Sequence, residues 1–88
     1  MTIRFSQTAA AAIQSLPVLD RKAIRRVLHV LSSSPDQVRT HPRAIHVKDA
    51  PEGLVVYTFI VGDWKLVLVL DNDDLVVTDV VRWDDGPL

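Results

Sequence analysis

The 88-residue chain contains no cysteine, which excludes a disulfide framework and any thiolate-held metal. Gly53 and Gly62 stand too far apart to form a phosphate-cradling loop. The longest unbroken aliphatic run, Leu66 to Leu70, falls far short of the roughly 20 residues that span a bilayer. The opening residues Met-Thr-Ile-Arg-Phe carry none of the apolar stretch of a secretion signal, so a cytoplasmic protein without a membrane partner is expected. His29, His41 and His46 lack zinc-ligand spacing. Asp71-Asn72-Asp73-Asp74 lacks the glycine and terminal glutamate of a calcium loop and suits a turn instead. Serine falls at helix caps and a helix stop, which argues against a Ser-His-Asp nucleophile. No cofactor and no metal are expected.

What the chain has is apolar residues, 48% of the total, enough for a packed core and above the content of a disordered segment. A chain this short buries only about 60–65% of its unfolded surface, so residues 1–88 are read as a single domain. The net charge of −1 conceals two unlike halves. Residues 1–48 hold eight Lys/Arg against Asp20 and Asp36, a net +6, whereas residues 49–88 hold Lys65 and Arg82 against nine acids, a net −7. The basic half can attract polyanions although the whole is near neutral.

The pattern along the chain predicts β-α-α-β-β-β. Ile3 and Phe5 flank Arg4 in a short strand, Ser6 offers an N-cap, and Ala9, Ile13 and Leu16 follow at helical spacing until Pro17. Asp20 is expected to cap a second helix whose apolar stripe is Ala23, Ile24, Val27, Leu28 and Leu31, with Arg21, Lys22, Arg25 and Arg26 largely opposite. From Asp36 to Gly53 the pattern weakens, and 43–47 reads as an edge strand or an ordered loop. Leu54–Val61, Trp64–Leu70 and Leu75–Trp83 are β-rich, joined first by Gly62-Asp63, a two-residue turn of the type with glycine first. The expected class is a small α+β domain, an antiparallel sheet with a helical hairpin on one face.

That turn sets a register. Val61 pairs with Trp64, Phe59 with Leu66, Tyr57 with Leu68 and Val55 with Leu70. If Leu70 also pairs with Leu75, then Val77, Asp79 and Val81 share this bulky face. The other face then holds Val56, Thr58, Ile60, Val67, Val69, Val76, Thr78 and Val80, with Lys65 and Arg82 its only charges. An uncovered apolar face of this kind marks a partner surface, for a segment that folds on binding or for a second copy of the chain.

The order of elements, the hairpin Val61-Gly-Asp-Trp-Lys65 followed by Leu-Val-Leu-Val-Leu, the late strand ending Val80-Val-Arg82 and the Leu-Pro start of the second helix together resemble the RelE/ParE toxin family, over Ile3 to about Arg82. The resemblance implies the toxin of a toxin–antitoxin system, encoded beside an antitoxin protein that wraps it, as a homodimer or a toxin–antitoxin heterotetramer. RelE-like members cut mRNA on the ribosome, and ParE-like members inhibit DNA gyrase. Lys65 stands where the family has a basic residue after the turn aromatic, and Arg82 where it has an arginine at the end of the last strand. Arg43, His46 and Lys48 fall in the segment that is basic in RelE-like members. Ile60 and Thr58 occupy positions where the family often carries arginine, and 83–88 is acidic.

Metal-free RNA cleavage requires deprotonation of the 2′-oxygen, neutralisation of the phosphorane charge and protonation of the leaving oxygen. On this expectation Arg82 and Lys65 share one sheet face and hold the phosphate, with Arg43 and Lys48 adding phosphate contacts. His46 or Lys48, alternating by two and so pointing one way, moves the proton. Set against these roles, Lys65 suits a solubilising strand position, Arg82 can pair with Asp63 or Asp84, and His46 can be an ordinary edge histidine. Tyr57 reads as core. A nuclease of the translation machinery, a gyrase inhibitor and a catalytically degenerate binding protein remain open at this point.

Overall fold

The computed structural model describes residues 2–33, 35–72 and 74–83. The elements are β1 (Ile3–Phe5), α1 (Gln7–Gln14), α2 (Val18–Leu31), α3 (Pro35–Thr40), β2 (Ala44–His46), β3 (Val55–Val61), β4 (Trp64–Asp71) and β5 (Asp74–Arg82). One five-stranded sheet runs β1-β5-β4-β3-β2. The α+β class holds, with two corrections. β1 pairs β5 in parallel, so the sheet is mixed rather than antiparallel. A third helix, α3, fills part of the stretch where the pattern weakens. Its Val38 is wholly buried, and one buried residue among the described side chains of so short a helix is too little periodicity to read. The 43–47 segment is the edge strand β2, antiparallel to β3.

The helices cover one sheet face. Ala9, Ile13, Leu16, Ile24, Leu28, Leu31 and Val38 meet Phe59, Leu66, Leu68, Leu70, Leu75, Val77 and Val80, all buried. Each large aliphatic side chain so removed from water contributes about 1.5–3 kcal/mol. Val55, Tyr57, Val61 and Trp64 pack at the margin, which places Tyr57 at the core as expected. No helix among the described residues is long and apolar enough to cross a membrane.

Local chemistry explains the turns and caps. Gly62 has φ +58° while Asp63 is not left-handed, and Val61 pairs Trp64, the geometry of a glycine-first hairpin. α1 starts at Ser6, whose Oγ accepts the Ala9 N–H at 3.0 Å. α2 starts earlier than Asp20: Pro17 is its N-cap, its fixed φ suiting a helix start. Asp20 lies in the first turn, where its charge favours the positive end of the helix.

The register of β3 and β4 is the expected one, but that of β5 changes midway. Val67 pairs Asp79 whereas Leu68 pairs Val77, so Thr78 is an extra residue, a β-bulge. Ser6 holds it: its Oγ donates to the Thr78 carbonyl at 2.7 Å and its N–H donates to the Val77 carbonyl at 3.0 Å. The Thr78 hydroxyl donates to the Val67 carbonyl at 3.2 Å. Without the bulge, strict alternation would drive the Asp79 carboxylate into the core, at a cost of several kcal/mol. With it, Val80 turns inward, 5% exposed, and Asp79 and Val81 turn outward. This corrects the expected faces of Asp79, Val80 and Val81, and it carries Arg82 with it.

Candidate functional site

Arg82 pairs Trp64, and Lys65 pairs Val81. Cross-strand partners share a face. Arg82 therefore lies on the helix-covered side at the end of the sheet, and Lys65 on the uncovered side. The expectation that both stand on one face fails because the bulge at Thr78 shifts the alternation by one residue. The two remain neighbours, one residue out of line on adjacent strands, so they flank the rim of the sheet from opposite sides.

Each has a distinct setting. Lys65 is half-buried, and its Nζ sits 5.5 Å from the centroid of the exposed Trp83 ring, a cation–π contact. Trp83 is fixed by its own N–H, which donates to the Asp63 carbonyl at 2.6 Å. Arg82 is exposed, and among the described residues it forms no ion pair with Asp63; Asp84 lies outside the described residues. Ile60 is the partner of Lys65 on the other flank, and Thr58 that of Val67, so apolar and neutral side chains line its β3 side where the resemblance implies arginine.

The other candidates sit elsewhere. His46 pairs Tyr57 on the helix side of edge strand β2, the two rings 5.1 Å apart. Three strand spacings and four residues separate it from Arg82, about 20 Å by ordinary sheet dimensions. Lys48 and Arg43 are exposed beyond the two ends of β2. The Arg43 N–H donates to His41 Nδ1 at 3.1 Å, and the His41 ring meets Phe59 edge-on at 4.8 Å. The four expected catalytic groups do not converge. Two groups of the site region escape sequence reasoning. Trp83 follows Val81 by two and so shares its face with Lys65, a signal visible only once the bulge is known. Asp20 accepts the indole N–H of Trp64 at 3.0 Å, and nothing local in the sequence joins those residues.

The uncovered face carries Val67, Val69 and Val76 half-buried at its centre, with Ile45 59%, Val81 38% and Trp83 43% exposed towards its margins. Arg4 spans the β4–β5 turn there, 2.9 Å from Asp71 and 3.3 Å from Asp74. The face can bind an apolar partner surface. Asp79 also faces out here, opposite Val67 and two residues from Val81, the partner of Lys65.

No protein-family model matches the chain, and no curated protein matches it in sequence. Solved structures do match in fold. A chain of the archaeal RelE-RelB complex from Pyrococcus horikoshii OT3 superposes with a TM-score of 0.79 at 15% identity, covering 97% of both chains. A chain of the intact E. coli RelBE toxin-antitoxin complex gives 0.72 at 18% identity, over 94% of this chain and 96% of that one. A chain of the RelB-RelE antitoxin-toxin complex from Methanococcus jannaschii gives 0.65 at 15% identity, over 90% and 88%. The chain thus has an α+β fold found in these toxin–antitoxin complexes.

Proposed function

We propose that this protein is the toxin of a toxin–antitoxin pair and that it inhibits translation by engaging mRNA on the ribosome. The observation that carries the reading is the fold, matched over nearly the whole length of chains from RelE–RelB complexes. The chain also holds a hydrophobic core of its own, the property of a folded effector rather than of a segment that orders only on its partner. On this reading Arg82 and Lys65 grip RNA phosphate at the sheet rim from its two sides, with Trp83 beside Lys65. His46 and Lys48 are too far away to serve that phosphate, so a cleavage step would draw its proton transfers from groups outside them.

The same separation favours a second reading, inhibition by binding alone, on DNA gyrase or another protein target. Ile60 and Thr58 beside Lys65 support it, because an apolar flank suits a protein surface better than a phosphate. The test is the purified chain added to ribosomes programmed with a defined mRNA and, separately, to a DNA supercoiling reaction. Loss of translation that Arg82→Ala relieves supports the first reading; loss of supercoiling with translation intact supports the second. Both reactions proceeding normally would overturn the toxin reading.

A further inference from the structure

A cleft of about 190 Å³ opens between β1, α1 and α2, lined by Phe5, Ala10, Ile13, Gln14, Arg25 and Leu28. Its place follows from local structure. Phe5 pairs Val77, whose side chain is in the core, so the phenyl ring is on the helix side; β1 ends the strand order, and the ring stays 44% exposed. α1 presents Ala10, Ile13 and Gln14 one turn apart on one side, and Ala10 is too short to fill the space beside them. α2 presents Arg25 and Leu28 in the same way. Ile13 and Leu28, 8% and 2% exposed, form an apolar floor, with Gln14 and Arg25 exposed at the rim. The ion pairs among the described residues involve Arg4 and Arg39, so the Arg25 guanidinium has no carboxylate partner among them. An apolar floor open on one side forfeits dispersion contacts that a bound group restores.

We propose that this cleft binds a small arylalkyl monocarboxylate, its ring against Phe5, Ile13 and Leu28 and its carboxylate on Arg25, with the Gln14 amide as a second donor. The volume sets the size: a cavity of roughly 150 Å³ accepts a benzene, so about 190 Å³ holds one ring and a short arm. The walls set the chemistry. Inorganic phosphate would use Arg25 and leave the apolar floor bare, and a neutral hydrocarbon would leave the guanidinium unused. A nucleotide exceeds the volume, and its several charges would meet one cation. One ring and one negative charge match what the cleft offers, apolar walls with a placed polar anchor. The proposal does not depend on the chain being a toxin.

The test titrates the full chain with 3-phenylpropanoate and follows amide NMR shifts, beside 3-phenylpropanol, which keeps the ring, and acetate, which keeps the charge. Saturable shifts are expected at Phe5, Ala10, Ile13 and Leu28, with a Kd of about 1 mM or below for a ligand of this size. The alcohol should bind about tenfold more weakly, the scale of one charge-assisted hydrogen bond, and acetate should give no saturable shift. Arg25→Gln should reduce the carboxylate to the affinity of the alcohol. Ala10→Leu, which fills the cleft, should abolish binding of both, each variant being first shown to be folded by circular dichroism. Absence of saturable shifts, shifts confined to another surface, equal affinity for acid and alcohol, or unchanged affinity in both variants would overturn the proposal. So would shifts at these amides that arise only with a peptide ending in phenylalanine, or only on concentrating the chain alone, which would assign the cleft to a partner chain or to a second copy.

Discussion

Trp64 and Asp20 lie 44 residues apart and meet through one hydrogen bond, the indole N–H donating to a carboxylate oxygen at 3.0 Å. It ties the first residue of β4 to the first turn of α2, beside the strand end that carries Arg82. A partly buried bond to a charged acceptor contributes about 1.5–3 kcal/mol. Asp20→Asn keeps an acceptor and should cost less than Asp20→Ala, which should lower Tm by about 8–16 °C for a domain of this size. Trp64→Phe added to Asp20→Ala should cost little more than its packing loss. Urea unfolding of the four proteins in a double-mutant cycle checks the coupling.

Ser6 joins the α1 cap to the bulge, and Ser6→Ala removes both roles at once. The loss of the Ala9 cap bond and the stranding of the Thr78 carbonyl should together cost about 2–3 kcal/mol. Hydrogen exchange should speed up at Ala9 in the variant before it does in the β3–β4 ladder. Equal protection at Ala9 in both proteins would contradict the assigned role.

Removing Thr78 would abolish the bulge but leave the pairing intact, because Val77 and Asp79 would then be consecutive opposite Leu68 and Val67. Asp79 would still face out and Val80 in, so the deletion variant should fold cooperatively, losing only the Thr78 bonds to Ser6 and to the Val67 carbonyl, about 1–3 kcal/mol. Far-ultraviolet circular dichroism and a cooperative melt check this. A deletion variant without a cooperative melt would mean that the bulge serves something other than the facing of Asp79.

Gly62 has φ +58°, and a β-carbon added there would meet no heavy atom within 4 Å, so substitution brings backbone strain and no clash. Gly62→Ala should cost about 1 kcal/mol and Gly62→Asn less, since asparagine tolerates the left-handed region. Thermal melts of both variants distinguish strain from steric exclusion, which would make asparagine the worse of the two.

Most of this fold is legible in the sequence because its strongest signals are local. Ser6 before an alanine-rich run, Pro17 between two helices, and Gly62-Asp63 between alternating strands each act over a few residues. They carry the helical hairpin, apart from the start of α2, and the β3–β4 register. α3 is hidden because so short a helix shows one buried residue, Val38, among its described side chains. The parallel pairing of β1 is hidden because three residues carry no mark of their neighbour. The bulge is the costliest omission. Its one sequence signal is Asp79 on an apolar face, a carboxylate where alternation would bury it. Without the bulge, Arg82 falls beside Lys65 on one face and four basic groups converge on paper, whereas edge strand β2 holds His46 about 20 Å from Arg82.

A toxin of this fold that works through the rim between Lys65 and Arg82 has no need of His46. Pulse labelling of protein synthesis, after induction of the chain and of its Arg82→Ala, Lys65→Ala and His46→Ala variants, tests this most directly. Translation should fall with the unaltered chain and with His46→Ala, and recover with Arg82→Ala and Lys65→Ala. Undiminished translation with folded, soluble chain present, or recovery with His46→Ala equal to that with Arg82→Ala, would contradict it.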